Sequence, residues 1–103
     1  MFSVQHCDSY TLVAFDIPGG IIAPSNLCTL RPPDVDGRKG VVLSGRGPVW
    51  LYAFLCHFYH PTRWIGCFDP RLGGAVVVQT HCPNVSLGQV ITITDINCST
   101  PSP

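Results

Sequence analysis

Val41-Val42-Leu43-Ser44-Gly45-Arg46-Gly47-Pro48-Val49-Trp50-Leu51-Tyr52-Ala53-Phe54-Leu55-Cys56-His57 is the stretch on which the fold turns. Residues 41–44 are a short apolar run, the signature of a strand in a buried central position. Gly45-Arg46-Gly47 breaks it, and Pro48 suits the first position of a helix. The helix is predicted over residues 48–59. Trp50, Ala53, Phe54 and His57 share one face at helical spacing, and Leu51, Leu55 and Phe58 share another. A helix apolar on nearly every side is expected to lie between a sheet and a partner subunit. Pro61 ends it.

Outward from this unit, residues 63–68 and 74–80 read as strands joined by Asp69-Pro70-Arg71-Leu72-Gly73, a short Gly-ended hairpin loop. Upstream, residues 9–17 read as a strand closed by Pro18-Gly19-Gly20. Residues 24–30 form a short helical turn, started by Pro24 and Ser25 and stopped by Pro32-Pro33. Residues 34–40 are a polar loop. A turn at Pro83-Asn84 and Gly88 leads to a last strand over 89–94. The expected architecture is a small α/β single domain over residues 1–96. It is a mixed sheet with one main buried helix and a C-terminal hairpin, and residues 97–103 are a mobile polar tail.

A chain of 103 residues is expected to make one domain. Only 12% of it is charged and 46% is hydrophobic, which excludes intrinsic disorder and favours an oligomer that covers apolar surface. Six basic residues balance six acidic ones, so the chain is no general grip on duplex DNA or long RNA. A small ligand with a few phosphates remains compatible. The longest apolar run is far short of the roughly 20 residues a membrane span needs. The opening residues lack a secretory pattern and no cysteines are spaced Cys-x-x-Cys, so the six cysteines are expected to be free and reduced in a cytoplasmic protein.

Three constellations carry chemistry. Ser44-Gly45-Arg46-Gly47-Pro48 takes a strand through a Gly-rich loop into a helix, whose unpaired N–H groups suit phosphate. Gly permits close backbone approach, and Arg46 adds a bidentate donor. It matches neither the Walker loop nor the dinucleotide fingerprint, and on pattern alone an ordinary tight turn fits it better. Asp69-Pro70-Arg71 offers a carboxylate for a metal or proton and an Arg for phosphate, or else a surface hairpin whose Asp and Arg pair with each other. His57-x-x-His60, with His81 further on, suits a first-row divalent metal once a carboxylate is added. A zinc set of Cys56, His57, His60 and Cys82 matches no standard spacing. The alternative is that His57 is a core histidine and His60 faces the negative end of the helix.

Topology sorts these groups. If the helix packs antiparallel to strand 63–68, Asp69 returns to the helix start and His81 lands near His60. One pole then holds Ser44, Arg46, Asp69 and Arg71, and the other holds His57, His60 and His81. A site that uses both sets has to be built between subunits.

The run 41–57, followed by His60-Pro61 and by Asp69-Pro70-Arg71-Leu72-Gly73-Gly74-Ala75-Val76-Val77-Val78, resembles the small CRISPR-associated ring nucleases of type III systems. The manganese-dependent kind was first described as a deadenylating exoribonuclease. The apolar strand, Pro-Gly-Gly and Pro-x-x-Leu near the start also look like that family, and the likeness spans roughly residues 10–94. It implies a Rossmann-like fold of the CRISPR-associated type and a homodimer that stacks into a tetramer or higher assembly around its ligand. The implied substrate is cyclic tetra-adenylate, cut to linear oligoadenylates so that type III signalling is switched off. The alternatives are a manganese-dependent 3′ deadenylating exoribonuclease on short oligoadenylate RNA and a non-catalytic regulator that binds the ring. By the same resemblance, His60, Asp69 and Arg71 are the catalytic cluster, and Asp69 and His60 hold Mn2+ or another divalent cation. Ser44, Gly45, Arg46 and Gly47 cradle the substrate, with His57 and His81 as helpers.

Overall fold

The computed structural model describes residues 1–93. The strands are β1 (Phe2–His6), β2 (Tyr10–Phe15), β3 (Gly40–Gly45), β4 (Trp64–Asp69), β5 (Gly74–Thr80) and β6 (Val90–Thr92). The single α-helix, α1 (Val49–Phe58), lies between β3 and β4, and two 3-10 turns at Pro18–Gly20 and Pro24–Cys28 lie between β2 and β3. All six strands form one sheet in the order β1-β2-β3-β4-β5-β6. β2, β3 and β4 are parallel neighbours, and the outer pairings are antiparallel.

This overturns the Rossmann-like α/β expectation. A doubly wound fold carries helices on both faces of a mostly parallel sheet. Here the β2–β3 crossover contains only 3-10 turns, and α1 is the sole α-helix among the described residues. The molecule is a strand-dominated mixed sheet with one helix. A strand at residues 2–6 had not been read from the sequence, and the expected 97–103 tail lies outside the described residues.

Alternation along β3 builds two cores. Val41 and Leu43 join Val13, Phe15, Ile65, Leu51, Leu55 and Tyr59 on the helix side, all within 5% of complete burial. Val42 joins Leu12, Trp64, Ala75, Val77, Cys82 and Ile93 on the other side. The Trp64 indole lies flat against Gly40, where an added Cβ would sit 2.0 Å from Cε2. The central-strand expectation for residues 41–44 therefore holds.

α1 starts one residue later than expected, because Pro48 is the N-cap with extended backbone (φ −66°, ψ 157°). Within the protomer the helix buries one stripe, Leu51 and Leu55. Val49 is 81% exposed and Phe58 42% exposed, so burial all round is not what a single chain provides. The helix end is tied to the crossover by Tyr59, whose hydroxyl donates to the Pro33 carbonyl at 2.6 Å.

The β4–β5 hairpin closes as expected at Gly73, whose φ of 63° favours glycine. A register shift between Ile65 and Gly66 sets Ile65 opposite Gln79 while Gly66 faces Val77. Val78 is the extra residue of a β-bulge.

Cys7 is disulfide-bonded, which corrects the expectation of free thiols throughout. Cys28, Cys56, Cys67 and Cys82 are free. No described helix is long and apolar enough to cross a membrane.

Candidate functional site

Because β2, β3 and β4 run parallel, their carboxyl ends share one edge of the sheet, the usual ligand-binding edge of parallel strands. Asp16, the Gly45-Arg46-Gly47 turn and Asp69 follow or end these strands. Gly45 has no room for a side chain, since a Cβ there would lie 2.4 Å from the Phe15 carbonyl oxygen. Tyr52, one turn into α1, fixes this glycine. Its hydroxyl donates to the Gly45 carbonyl at 2.7 Å and accepts the Gly45 N–H at 3.1 Å. The Gly-rich loop is thus held by its own helix.

A cavity of about 480 Å³ opens beside the loop, lined by Asp16, Ile17, Gly20, Arg46, Gly47 and Pro48. Arg46 is exposed within it. Four other basic side chains are engaged: Arg31 with the Leu30 carbonyl, Arg38 with Asp36, Lys39 with the Cys7 carbonyl and Arg71 with Asp69. Among the described residues, no hydrogen bond or ion pair engages the Arg46 side chain. Ser44 and Gly45 do not line the cavity. By strand alternation Ser44 follows Val42 onto the face away from α1.

Asp69 lines a separate groove of about 380 Å³ with Val49, Tyr52, Cys67, Phe68, Pro70 and Val76. Pro48 and Val49 therefore separate the two openings at the start of α1. The Asp69 carboxylate accepts the Arg71 backbone N–H at 2.9 Å and meets its guanidinium at 3.4 Å. The Arg71 guanidinium, with that backbone N–H, holds the Asp69 carboxyl below its ordinary range. The Arg71 side chain is 89% exposed, so this pairing is a screened surface contact that a phosphate can compete for.

The histidines lie at the opposite end. His60 follows α1, and its carbonyl accepts from Gln79 Nε2 at 2.8 Å and from His81 Nε2 at 3.2 Å. The second bond fixes the His81 tautomer with its proton on Nε2. The His60 and His81 rings meet edge to face, with centroids 5.7 Å apart. The β5 bulge makes the first contact possible, because it turns Gln79 to the face of Ile65. His57 sits exposed in the last helical turn, so it is not a core histidine. Next to His81, the Cys82 thiol is drawn below its ordinary range, first by the Asn84 backbone N–H and then by Arg63.

The length of β4 separates the poles, about 20 Å for six residues at ~3.3 Å each. His60 and Asp69 do not meet within one chain. The described residues gather no group of three His, Cys, Asp or Glu fit to hold a metal ion. Within one protomer the donors do not fit a divalent cation.

Two residues of this region escape the sequence reading. Asp16 is legible only once β2 and β3 are known to be parallel. Tyr52 looks like one more apolar helix residue until its hydroxyl is seen on Gly45.

Residues 16–92 match the sequence model of the family described as CRISPR-associated protein (Cas_csx3). A protein of Aquifex aeolicus (strain VF5), named only as uncharacterized, is 53% identical over 88 residues. The match covers 82% of this chain and 78% of that protein.

Proposed function

The chain belongs to the Cas_csx3 family of CRISPR-associated proteins, and on that premise we propose that it is a ring nuclease. It cleaves phosphodiester bonds of cyclic tetra-adenylate to give linear oligoadenylates, which switches off type III CRISPR signalling. The observation that carries the reading is Arg46. It is an unpaired guanidinium beside a Gly-rich turn, in a cavity at the carboxyl ends of two parallel strands. That is a phosphate site in its chemistry: a bidentate donor with backbone that allows close approach.

One copy binds phosphate through Arg46 and the Gly45–Gly47 turn and steadies the charge at phosphorus with Arg71. His60 of a second copy moves the proton, and His81 and Gln79 anchor its backbone. The nucleophile is the ribose 2′-hydroxyl or water. The cyclic substrate is nearly symmetric, so two copies around it are a natural fit. Manganese does not fit one protomer, where His60 and Asp69 lie at opposite poles.

Incubating the protein with cyclic tetra-adenylate, with manganese or with chelator, and separating the products tests this. Linear di-adenylates are the expected product. Tight binding with an intact ring makes the protein a sensor. Shortening of linear oligoadenylates with an intact ring makes it a 3′ exoribonuclease.

A further inference from the structure

The 3-10 turn Pro18–Gly20 stands between two cavities. Gly20 lines the 480 Å³ cavity of Arg46, and Pro18 lines a second cavity of about 440 Å³. Ile17, just before the turn, lines both, so the two openings adjoin at one residue. The second cavity has an apolar floor of Phe2, Ile17, Ile22 and Leu30, all partly buried against the helix-side core. Asn26 and Thr29 border it. A concave, mostly apolar space of several hundred Å³ with a few placed polar groups is the usual form of a small-molecule site.

The two polar groups are held by local bonds. Asn26 Oδ1 accepts the Ala23 backbone N–H at 2.8 Å, which fixes the amide. Among the described residues no hydrogen bond engages Asn26 Nδ2, so it is a spare donor. The Thr29 hydroxyl donates to the Asn26 carbonyl at 3.4 Å, so the two side chains are neighbours and the Thr29 oxygen is a spare acceptor.

We propose that this second cavity is an adenine subsite, which takes the base of the adenylate whose phosphate Arg46 holds. The inference rests on the phosphate reading of Arg46 given above and deepens it. Adenine carries an acceptor, N1, beside a donor, its 6-amino group. Asn26 Nδ2 and Thr29 Oγ1 are the complementary donor and acceptor. Hypoxanthine and guanine carry an N1–H and a 6-oxo group, which set donor against donor and acceptor against acceptor. The apolar floor takes the flat face of the ring. Arg31 is exposed and donates only to the Leu30 carbonyl, so it can lie over the other face. Asp16 precedes Ile17 and lines the Arg46 cavity, which sets a carboxylate acceptor where the ribose hydroxyls pass between base and phosphate.

The test is a nuclear magnetic resonance titration of the full chain with adenosine, inosine and inorganic phosphate. Adenosine has no phosphate and reads the base site alone, and inorganic phosphate reads Arg46 alone. Adenosine should move the amide signals of Ile22, Asn26 and Thr29, and should bind about tenfold more tightly than inosine. Adenosine 5′-monophosphate should move these signals and those of Gly45 and Gly47. Asn26→Asp keeps the acceptor for the Ala23 N–H but removes the donor, so the preference for adenosine should vanish while the melting temperature holds. Equal binding of adenosine and inosine by the parent protein would overturn the proposal without any variant. So would adenosine shifts that leave Asn26 and Thr29 unmoved, or an adenosine preference that survives in Asn26→Asp. Phosphate that leaves Gly45 and Gly47 unmoved, with adenosine still selective, removes the phosphate reading and keeps the adenine subsite.

Discussion

At the scale of the residue, Arg46 and Tyr52 divide binding from positioning. Arg46→Ala removes an exposed, unpaired side chain, so thermal stability should stay within about 0.5 kcal/mol of the parent. Cyclic tetra-adenylate should bind roughly 30-fold more weakly, the loss of about 2 kcal/mol expected for a charge-assisted contact. Calorimetric titration beside a melting curve checks both. Tyr52→Phe leaves the Gly45 N–H and C=O without their hydroxyl partner and should cost about 1–2 kcal/mol of stability in denaturant melts. Acid behaviour has its own marker in Asp36, which its bond to Arg38 holds down from 3.8 to about 2. A carboxyl with a depressed folded-state pKa adds stability above its unfolded value, and that contribution is lost as pH falls. Asp36→Asn should therefore narrow the gap between melting temperatures at about pH 5 and about pH 2, because it lowers the value at about pH 5, where the parent's pair is intact, and leaves that at about pH 2 nearly unchanged. The effect is small because the pair is exposed.

At the scale of the element, the β3–α1–β4 unit was legible because its signals agree. An apolar run, a Gly-rich break, a proline and an apolar helical stripe point to one arrangement. Leu55, wholly buried in that stripe, should cost about 2–5 kcal/mol when changed to Ala, measured by chemical denaturation. β1 was not legible. Phe2-Ser3-Val4-Gln5-His6 has two apolar residues and becomes a strand only because β2 offers it a partner, with Phe2 opposite Phe15 and Val4 opposite Val13. The β5 bulge was hidden for a related reason: Gly74–Thr80 reads as a continuous strand, and only pairing with β4 shows that Val78 is extra. The Rossmann-like expectation failed in the β2–β3 crossover. Prolines at 18, 24, 32 and 33 leave room for turns but not for a covering helix.

At the scale of the whole molecule, the two-pole layout was readable from helix length and hairpin direction, and the structure keeps His60 and Asp69 apart. Cooperation between copies has a direct test. His60→Ala and Arg71→Ala proteins should each be inactive on cyclic tetra-adenylate. Mixed in equal amounts, they should regain about a quarter of wild-type activity, since random pairing in a twofold dimer leaves one site in four intact. No recovery on mixing would place both residues in the same chain's site. The strand order has a separate consequence, for how the chain folds. Each strand pairs only with its neighbour along the chain, so most ladders close over short loops. The long β2–β3 crossover, residues 16–39, is the exception, and its closure is the slowest search. The Tyr59–Pro33 and Lys39–Cys7 bonds that pin it therefore form late. Tyr59→Phe should accelerate unfolding in stopped-flow experiments while leaving the refolding rate nearly unchanged.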